Sequence, residues 1–319
     1  MKTMSNGRIV WVNGDLIPES EAKISIFDSA LMFGDMVFEM TRSFNKVQFK
    51  LREHLDRLYA SIKYVQIPIK IPIDEMEKHV YETVEANEPL FAKDDEHRIM
   101  IDVTRGLLSL YQDVAEVHKG PNVIIADFPL RRKVSSMAHL FDKGINAVIT
   151  VQRAIPAFLL EPKVKSRSRL HYMIADMEVS NCRGEDNWAL LLDTDGFITE
   201  GTGANFFIVK NGKLVTPEPR NILRGISRKY IIEEIAPQIG ISCYEKNIEP
   251  YDVIMADEAF MTGTSFCILP VTKFNGIKIG KGKMGKITKM LLDKWSENVG
   301  VDIISQIKEY SKSVKDEKN

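Results

Sequence analysis

Short apolar runs rich in β-branched and aromatic residues recur along the chain, and turn dipeptides divide several of them into pairs. The dipeptides are Asn13-Gly14 in RIVWVNGDLIP, Asp195-Gly196 in NWALLLDTDGFITEG, Asn211-Gly212 in FFIVKNGKLVTP and Asn275-Gly276 in VTKFNGIKIG. Asn-Gly and Asp-Gly tolerate the positive φ angles that tight hairpin turns require. The pattern therefore predicts β-hairpins at these positions, and the runs PNVIIADF (121–128) and INAVITVQ (145–152) predict further strands.

Apolar residues at spacings of three and four lie between the predicted strands. In segment 51–65, Leu51, Leu55, Leu58, Tyr59 and Ile62 share one helical face. Further helices are predicted at 73–87, 168–181, 226–240 and 286–300. Because hairpins and helices alternate without regular βαβ units, we expect an α+β fold with hairpin-rich sheets and flanking helices.

A polar, basic segment at 129–144 separates two apolar strands, and we place a domain boundary near its start. A chain of 319 residues is also longer than one typical domain. The prediction is an N-terminal α/β domain at 1–131 and a C-terminal, cofactor-binding domain at 132–319. The charged tail KEYSKSVKDEKN (308–319) is expected to be frayed.

Overall composition narrows the classes of function. The formal net charge is −1, whereas nucleic-acid binding predicts a basic excess. Three widely spaced cysteines fit a reducing compartment, and the six histidines show no paired ligand spacing, so no metal site is expected. No stretch approaches the ~20 apolar residues of a membrane span, and the start lacks a signal-peptide run. We expect a cytoplasmic protein that binds neither nucleic acid nor membrane.

Four segments contain residues suited to chemistry, namely KVKSRSRLHY (163–172), DGFITEGTGANFFIV (195–209), ILRGISRKYIIEE (222–234) and FMTGTSFCILPV (260–271). A lysine in the first could form a Schiff base, because neighbouring cations favour the neutral amine. The alternative for that segment is a solvated basic strand end.

The other three segments contain groups that could pair with a cation or an anion. Glu200 lies in an apolar stretch where a buried carboxylate needs a cation or a donor. The helix start at Gly225-Ile226-Ser227 and the turn at Gly263-Thr264-Ser265 present N–H groups and hydroxyls to an anion. The alternatives are an exposed strand-end glutamate, an ordinary capped helix and a simple Ser/Thr turn.

Together these segments resemble one family. KVKSRSRLHYMIADMEV, DTDGFITEGTGANFFIV, ILRGISRKYII and ADEAFMTGTSFCILPV follow FGDMVFEMTRSF and LREHLDRLYAS in the order found in class IV pyridoxal-phosphate aminotransferases. That group includes branched-chain amino-acid aminotransferase, D-amino-acid aminotransferase and aminodeoxychorismate lyase. The resemblance covers roughly residues 8–290 and implies the two-domain fold of fold-type IV enzymes, with pyridoxal 5′-phosphate as cofactor.

The resemblance also implies roles for individual residues. Lys165 matches the lysine that bonds the cofactor aldehyde, since Leu170, Ala175 and Glu178 follow it at the family's spacing and Lys163 is two residues out of frame. Glu200 matches the carboxylate that pairs with the pyridine nitrogen. The implied phosphate ligands are Arg57, Gly225, Ile226, Ser227 and Thr264.

For the substrate, the resemblance points to several branches. Its implied contacts are Phe33, Phe38, Arg98, Leu110, Arg169 and Ser265. The Gly263-Thr264-Ser265 turn is similar to that of branched-chain enzymes, and apolar pocket walls suit an aliphatic side chain. Leu170 departs from the branched-chain pattern, which has a tyrosine there near the cofactor phenolate oxygen, and Arg169 is similar to the lyase pattern.

We therefore predict an aminotransferase that moves an amino group from an aliphatic, branched-chain-like amino acid to a 2-oxo acid. D-amino-acid aminotransferase and aminodeoxychorismate lyase are the alternative enzymes. A catalytically silent family member or a basic-patch binding protein is the alternative without catalysis. The resemblance further implies a homodimer.

Overall fold

The computed structural model describes residues 7–113 and 116–316. These residues divide into two compact units, one within Met1–Leu130 and Val164–Ser168, the other within Arg131–Lys163 and Arg169–Asn319. The chain thus returns to the first unit for five residues, which our prediction assigned to the C-terminal domain. Lys165 lies in that returning segment.

The first unit contains strands and helices that alternate along the chain. Its strands are β1 Ile9–Val12, β2 Asp15–Pro18, β3 Met36–Met40, β4 Ser43–Phe44, β5 Val47–Gln48, β6 His97–Thr104 and β7 Val123–Pro129. Its helices are α1 Ser29–Phe33, α2 Leu51–Val65 and α3 Ile73–Asn87. Helices α2 and α3 have the bounds that the apolar spacing predicts.

An antiparallel sheet of order β2-β1-β7-β6-β3 forms the centre of this unit. One face is fully buried, with Ile99, Ile101 and Val103 of β6 packed in a core cluster with Leu55 and Leu58 of α2. Successive strand residues point to opposite faces. The other face of β6 therefore carries Arg98, Met100 and Asp102.

A buried imidazole lies at the start of β6. His97 Nδ1 is 2.6 Å from Asp127 Oδ2, and Nε2 is 2.5 Å from Glu88 Oε2. Burial lowers the pKa of His97, but the hydrogen bond and charge of Asp127 outweigh burial, so the pKa is raised. A charged imidazolium can donate to both carboxylates, and it ties the turn at Glu88 to strands β6 and β7.

The second unit is larger and also mixes helices with strands. Its strands are β8 Ile145–Ile149, β9 Asn187–Leu192, β10 Ile198–Gly201, β11 Asn205–Lys210, β12 Lys213–Thr216, β13 Cys243–Glu245, β14 Glu258–Gly263, β15 Cys267–Phe274 and β16 Ile277–Lys278. Its helices are α4 Arg131–Val134, α5 Leu140–Lys143, α6 Leu170–Ser180, α7 Ile226–Tyr230, α8 Ala236–Gln238, α9 Pro250–Ile254, α10 Lys286–Val299 and α11 Ile303–Asp316. A π-helical stretch, Ile231–Ile235, joins α7 to α8.

The sheet of the second unit has the order β10-β9-β8-β15-β14-β11-β12-β13, with β16 paired to β15. Strand β10 also pairs with β11, where Glu200 lies opposite Asn205. The path from β10 to β11 therefore closes on itself. Glu200 is located at the point of closure.

The hairpin predictions are confirmed. The four turn dipeptides lie between β1 and β2, β9 and β10, β11 and β12, and β15 and β16, and each pair is antiparallel. Asn13, Asn211 and Asn275 adopt φ angles of 53°, 50° and 48°. These are the left-handed conformations that asparagine tolerates better than most residues. The α+β fold class is confirmed as well.

The charged tail, for which the sequence predicts fraying, is helical as far as Asp316. Residues Ile303–Asp316 form α11, on which Ile303, Ile307 and Tyr310 are buried. Their spacings of four and three place them on one helical face, and the charged composition of the tail conceals this pattern. The last three residues, 317–319, lie outside the described part of the chain.

Candidate active site

Lys165 lies in an extended segment beside β3 in the first unit. Val37 and Ser166 form an antiparallel bridge, and the Phe38 N–H donates to the Lys165 carbonyl at 2.9 Å. The Lys165 N–H donates to Ser61 Oγ on α2 at 3.3 Å. Because both polar backbone groups of Lys165 are bonded, the point from which its amine extends is fixed.

The Lys165 amine and the Arg167 guanidinium lie against one aromatic ring. Lys165 Nζ is 4.5 Å from the ring centre of Phe38, and the central guanidinium carbon of Arg167 is 3.7 Å from it. Residues two apart in an extended segment project to the same side. The structure therefore brings Phe38, a predicted substrate residue, next to the predicted catalytic lysine.

The neighbouring lysine has a different environment. Lys163 Nζ is 2.5 Å from Glu161 Oε1 and donates to the Arg220 carbonyl at 3.2 Å, all within the second unit. The Lys163 amine is therefore engaged by a carboxylate and a backbone carbonyl of the second unit.

Arg57, the predicted phosphate ligand in the first unit, is held by Glu39. Arg57 Nε donates to Glu39 Oε1 at 2.6 Å and Nη2 donates to Oε2 at 2.9 Å. His54 Nδ1 is 2.8 Å from Glu39 Oε2, and Glu39 has no exposed surface. This fork geometry fixes the plane of the guanidinium.

Charges in this group follow from burial and pairing. Burial raises the pKa of Glu39, but the charge of Arg57 and the hydrogen bond from His54 outweigh it, so the pKa is well below its usual value. Burial lowers the pKa of His54, although Glu39 opposes this. The group at neutral pH is thus an ionised carboxylate, a guanidinium and a neutral imidazole.

Glu200, in the second unit, is a buried carboxylate with several donors. Tyr172 Oη donates to Oε1 at 2.9 Å and the Leu223 N–H donates to Oε1 at 3.1 Å. Asn205 Nδ2 donates to Oε2 at 2.9 Å and also to the Leu223 carbonyl at 2.9 Å. These bonds hold both carboxylate oxygens in place. The arrangement suits a cationic partner such as a protonated ring nitrogen.

Tyr172 is protonated throughout the neutral range. Burial, followed by the charge of Glu200, raises the pKa of Tyr172 well above its usual value. The Arg169 guanidinium carbon lies 4.8 Å from the Tyr172 ring centre. The predicted substrate residue Arg169 is therefore next to the group that holds Glu200.

The predicted helix start at Gly225 is present. Gly225 is the N-cap of α7, and Ile226 and Ser227 begin the helix with both residues buried. A Cβ at Gly225 would lie 2.1 Å from Asn205 Oδ1, so no side chain fits there. Glycine is thus required by the close approach of Asn205, which itself holds Glu200.

The predicted turn at Thr264-Ser265 connects β14 to β15. Just before it, Thr262 lies opposite Asn205 in the sheet, and Asn205 lies opposite Glu200. Directly opposed residues project to the same face. Thr262 Oγ1 is buried and has no hydrogen-bond partner among the described residues. The cross-strand row Glu200–Asn205–Thr262 therefore contains a hydroxyl to which a ligand could donate or from which it could accept a hydrogen bond.

The remaining predicted substrate residues are all in the first unit. Arg98 is half-buried on β6, and burial followed by the charge of Arg167 lowers the pKa of Arg98 to about 10. Phe33 at the end of α1 and Leu110 in a short 3-10 turn are 67% and 77% exposed. Neither of these two side chains contributes to the core of its unit.

Sequence analysis missed Glu39, Tyr172 and Asn205. Glu39 is a carboxylate inside the apolar strand MVFEM, the same signal that drew attention to Glu200, and it could have been found in that way. Tyr172 and Asn205 contact Glu200 across separate elements, and nothing in their local sequence indicates this.

Groups of His, Cys, Asp or Glu that could hold a metal ion are absent from residues 7–113 and 116–316. Within the same ranges, no helix has both the length and the apolar composition needed to cross a membrane.

Comparisons with known proteins give consistent results. Residues 36–274 match the family model described as amino-transferase class IV. A putative branched-chain-amino-acid aminotransferase of Methanocaldococcus jannaschii is 38% identical over 289 residues, which are 90% of this chain and 95% of that protein.

Solved structures agree with the sequence relatives. The branched-chain amino acid aminotransferase of Escherichia coli matches with a TM-score of 0.81 and 28% identity, over 92% of this chain and 94% of that one. The branched-chain amino acid aminotransferase of Thermoproteus uzoniensis with norvaline matches with a TM-score of 0.78 and 30% identity, over 95% of this chain and 97% of that one. A further branched-chain amino acid aminotransferase, solved with pyridoxamine 5′-phosphate, matches with a TM-score of 0.81 and 28% identity, over 92% of this chain and 95% of that one.

The family model covers well over half of the chain, and the Methanocaldococcus jannaschii relative aligns with 90% of it. The resemblance seen in the sequence is thereby confirmed, and the chain belongs to the class IV aminotransferase family.

Proposed function

We propose that this class IV aminotransferase moves the amino group of an aliphatic, branched-chain amino acid to a 2-oxo acid, with pyridoxal 5′-phosphate as cofactor. The single observation that carries the proposal is the buried Glu200 carboxylate, which three neighbouring groups hold in a fixed position. The relatives named above are branched-chain enzymes, and one of them is solved with pyridoxamine 5′-phosphate.

The side chains present fit this cofactor. Lys165 supplies an amine for its aldehyde, and Glu200 supplies a buried carboxylate for its ring nitrogen. The proposed phosphate ligands are Arg57, Gly225, Ile226, Ser227 and Thr264. The unsatisfied Thr262 hydroxyl adds a polar atom in the same row as Glu200.

When bound, pyridoxal 5′-phosphate supplies an aldehyde that condenses with amines and a ring that accepts electrons from the substrate α-carbon. With the cofactor bound, the Lys165 amine would take the proton from that α-carbon and return it to the 4′ carbon of the cofactor, acting as general base and then as general acid. Glu200 would hold the proton on the ring nitrogen. Tyr172 and Asn205 hold the Glu200 carboxylate in its orientation.

Arg57 contributes a guanidinium of fixed orientation. Its Nε and Nη2 atoms are bonded to Glu39, so the charge is anchored before the cofactor arrives. A guanidinium that is already oriented loses little conformational entropy on binding phosphate. Glu39 and His54 are thus positioning residues for the phosphate ligand.

The substrate assignment rests on the apolar surface next to Lys165. Phe38 contacts the lysine amine, and Met40 and Met100 lie on the same sheet face as Phe38. Aliphatic side chains gain about 25 cal/mol per Å² of apolar surface removed from water. We propose Phe33, Leu110, Arg98, Arg169 and Ser265 as further substrate contacts.

We also propose a homodimer in the cytoplasm. Leu31 and Phe33 on α1, and Leu170, Met173 and Met177 on α6, are exposed apolar side chains of the kind that an assembled protein covers. All three cysteines are thiols in the described structure, as a reducing compartment favours. Light scattering of the purified protein tests the oligomeric state.

A donor and acceptor panel tests the function. Purified protein with pyridoxal 5′-phosphate is incubated with L-leucine, L-valine, D-alanine or D-leucine and with 2-oxoglutarate or pyruvate, and new amino acids are measured. We expect the L-branched-chain donors to be fastest. Transfer from D-amino acids alone would refute the branched-chain assignment. Release of pyruvate from aminodeoxychorismate, with no amino transfer, would instead identify a lyase.

A further inference from the structure

The cross-strand row Glu200–Asn205–Thr262 of the second unit contains two polar atoms to which no residue of 7–113 or 116–316 is hydrogen-bonded. One is Thr262 Oγ1, which is buried. The other is Asn205 Oδ1. The Asn205 amide donates through Nδ2 to Glu200 Oε2 and to the Leu223 carbonyl, whereas none of the described residues donates to its oxygen. Thr262 and Asn205 are directly opposed in the β11–β14 pair, so in the described part of the chain an unused donor lies beside an unused acceptor.

The surroundings of the Thr262 hydroxyl restrict where it can bond. On its other side the row continues to Ile268 on β15, which is fully buried. Residues two apart on a strand share a face. Phe260 on β14 and Phe207 on β11 therefore lie next to the opposed pair, and their rings stack with centres 4.8 Å apart. Asn205 is thus the polar side chain that this row offers to the hydroxyl.

Both the distance and the energetics allow a bond between these two side chains. Directly opposed residues have Cβ atoms about 5 Å apart, which a hydroxyl and an amide can bridge. The threonine oxygen moves between staggered χ1 positions, and its proton rotates freely. Leaving a hydroxyl buried and unbonded costs free energy, which one hydrogen bond to Asn205 Oδ1 would recover.

The unused acceptor lies against the proposed cofactor site. A Cβ at Gly225 would be 2.1 Å from Asn205 Oδ1, so this oxygen is packed on the start of α7. Gly225 is a proposed phosphate ligand, and a cofactor bound there excludes water from neighbouring polar atoms. An acceptor that loses contact with water needs a donor from the protein. The opposed Thr262 hydroxyl can supply it.

We propose that Thr262 is a positioning residue for Glu200, and that its hydroxyl donates to Asn205 Oδ1 when pyridoxal 5′-phosphate is bound. The bond holds the Asn205 amide in the orientation in which Nδ2 donates to Glu200 Oε2. Thr262 thereby acts on the carboxylate through Asn205, without touching the cofactor itself. The proposal rests on the cofactor assignment in the function proposed above.

The experiment compares Thr262→Val, Thr262→Ser and the control Thr272→Val. Valine keeps the shape of threonine and removes the hydroxyl, whereas serine keeps the hydroxyl. Thr272 is a buried threonine of β15 whose hydroxyl already donates to the Lys143 carbonyl at 2.8 Å. The melting temperature is measured on the full chain without cofactor, and the dissociation constant of pyridoxal 5′-phosphate is measured by equilibrium dialysis.

Thr262→Val should have effects of opposite sign on stability and on cofactor affinity. Without cofactor, the melting temperature should rise by about 2–4 °C, because an unbonded hydroxyl has been removed from the interior. The dissociation constant should increase about 10-fold, the equivalent of about 1.4 kcal/mol and of one hydrogen bond. Thr262→Ser should bind the cofactor within about threefold of wild type. Thr272→Val should lower the melting temperature and leave the affinity within the same range, because its hydroxyl is bonded with or without cofactor.

A double-mutant cycle tests whether Thr262 acts through Asn205. Thr262→Val should weaken cofactor binding in the wild-type background but not in Asn205→Ala, where the acceptor is gone. Equal losses of affinity in both backgrounds would mean that Thr262 acts on the cofactor by another route, and would overturn the proposal.

The stability and affinity measurements can each overturn the proposal as well. A lower melting temperature of cofactor-free Thr262→Val would mean that the hydroxyl is already bonded, and unchanged affinity would mean that cofactor binding does not use it. A loss of affinity in Thr262→Ser as large as that in Thr262→Val would assign the effect to the methyl group instead. Wild type that binds no pyridoxal 5′-phosphate would refute the proposed function, so the two failures are distinguishable.

Discussion

Replacing Glu39 by glutamine tests how the first unit holds Arg57, the proposed phosphate ligand. In the wild type, the Glu39 carboxylate accepts two bonds from Arg57 and one from His54. A glutamine keeps the volume but loses the charge, and it presents an NH₂ group to one of the guanidinium nitrogens. Arg57 then lacks this countercharge, and its orientation is no longer fixed.

The expected loss in free energy of unfolding is about 3–5 kcal/mol, the usual cost of removing one partner from a buried ion pair. With a urea m-value of about 3 kcal/mol/M for a unit of this size, the midpoint should move down by about 1–2 M. Circular dichroism follows the unfolding. Equilibrium dialysis should show weaker binding of pyridoxal 5′-phosphate, because a mobile guanidinium loses more entropy when it binds.

The matched control is Glu53→Gln, which makes the same chemical change on α2, one helical turn before Arg57. Glu53 is partly exposed and pairs with Lys50 at 3.3 Å, so its loss should cost about 0.5 kcal/mol or less. Midpoints that are equal in Glu39→Gln and Glu53→Gln would refute the reasoning. So would unchanged cofactor affinity in Glu39→Gln.

The effect of Glu39 depends on pH in a defined direction. The pKa of Glu39 is lowered in the folded protein. Its contribution to the free energy of unfolding is therefore present above the pKa of about 4.3 that glutamate has in the unfolded chain, and it is lost as pH falls through the folded pKa. The difference in stability between wild type and Glu39→Gln should therefore be full at pH 7 and shrink in acid. A difference that grows in acid would contradict the assignment of an ionised Glu39.

Three further perturbations have clear expectations. Tyr172→Phe removes a hydrogen-bond donor from buried Glu200. It should lower the free energy of unfolding by about 1–3 kcal/mol, measured by denaturation, and should lower kcat, measured by steady-state kinetics. If both values were unchanged, Tyr172 would not be the group that holds Glu200. Gly225→Ala should weaken cofactor binding, measured by dialysis, because the new Cβ would lie 2.1 Å from Asn205 Oδ1, and affinity equal to wild type would contradict the close approach. Because the pKa of His97 is raised in the folded protein, its contribution to the free energy of unfolding is full below about pH 6.5 and is lost as pH rises through the folded pKa. The melting temperature should therefore fall with rising pH in wild type, and fall less in His97→Gln. Parallel profiles of melting temperature against pH would count against a charged His97.

Much of the fold is predictable because its signals are local. Asn-Gly turns and apolar residues at 3/4 spacing specify hairpins and amphipathic helices within a few residues, and α2 and α3 have the predicted bounds. Helix α11 was missed because its buried residues are few and the charged residues between them dominate the composition. The closure of the second sheet between β10 and β11 depends on long-range pairing, which periodicity does not specify.

The candidate site is likewise predictable from the sequence only in part. Motif order along the chain points to Lys165, Arg57 and Glu200, because each is part of a recognisable local segment. The residues that hold them come from other elements, such as Glu39 on β3 for Arg57 and Asn205 on β11 for Glu200. Such contacts are tertiary, so only the structure reveals them. Their assignment to the cofactor and substrate stays a prediction until variants are measured.

The central claim is that Lys165 supplies the amine that bonds the cofactor. The direct measurement is borohydride reduction of the protein with pyridoxal 5′-phosphate, followed by peptide mass spectrometry. We predict a single phosphopyridoxyl label on Lys165, and loss of both the label and the near-visible absorbance in Lys165→Ala. A label on Lys163, or labelling that persists in Lys165→Ala, would contradict the account.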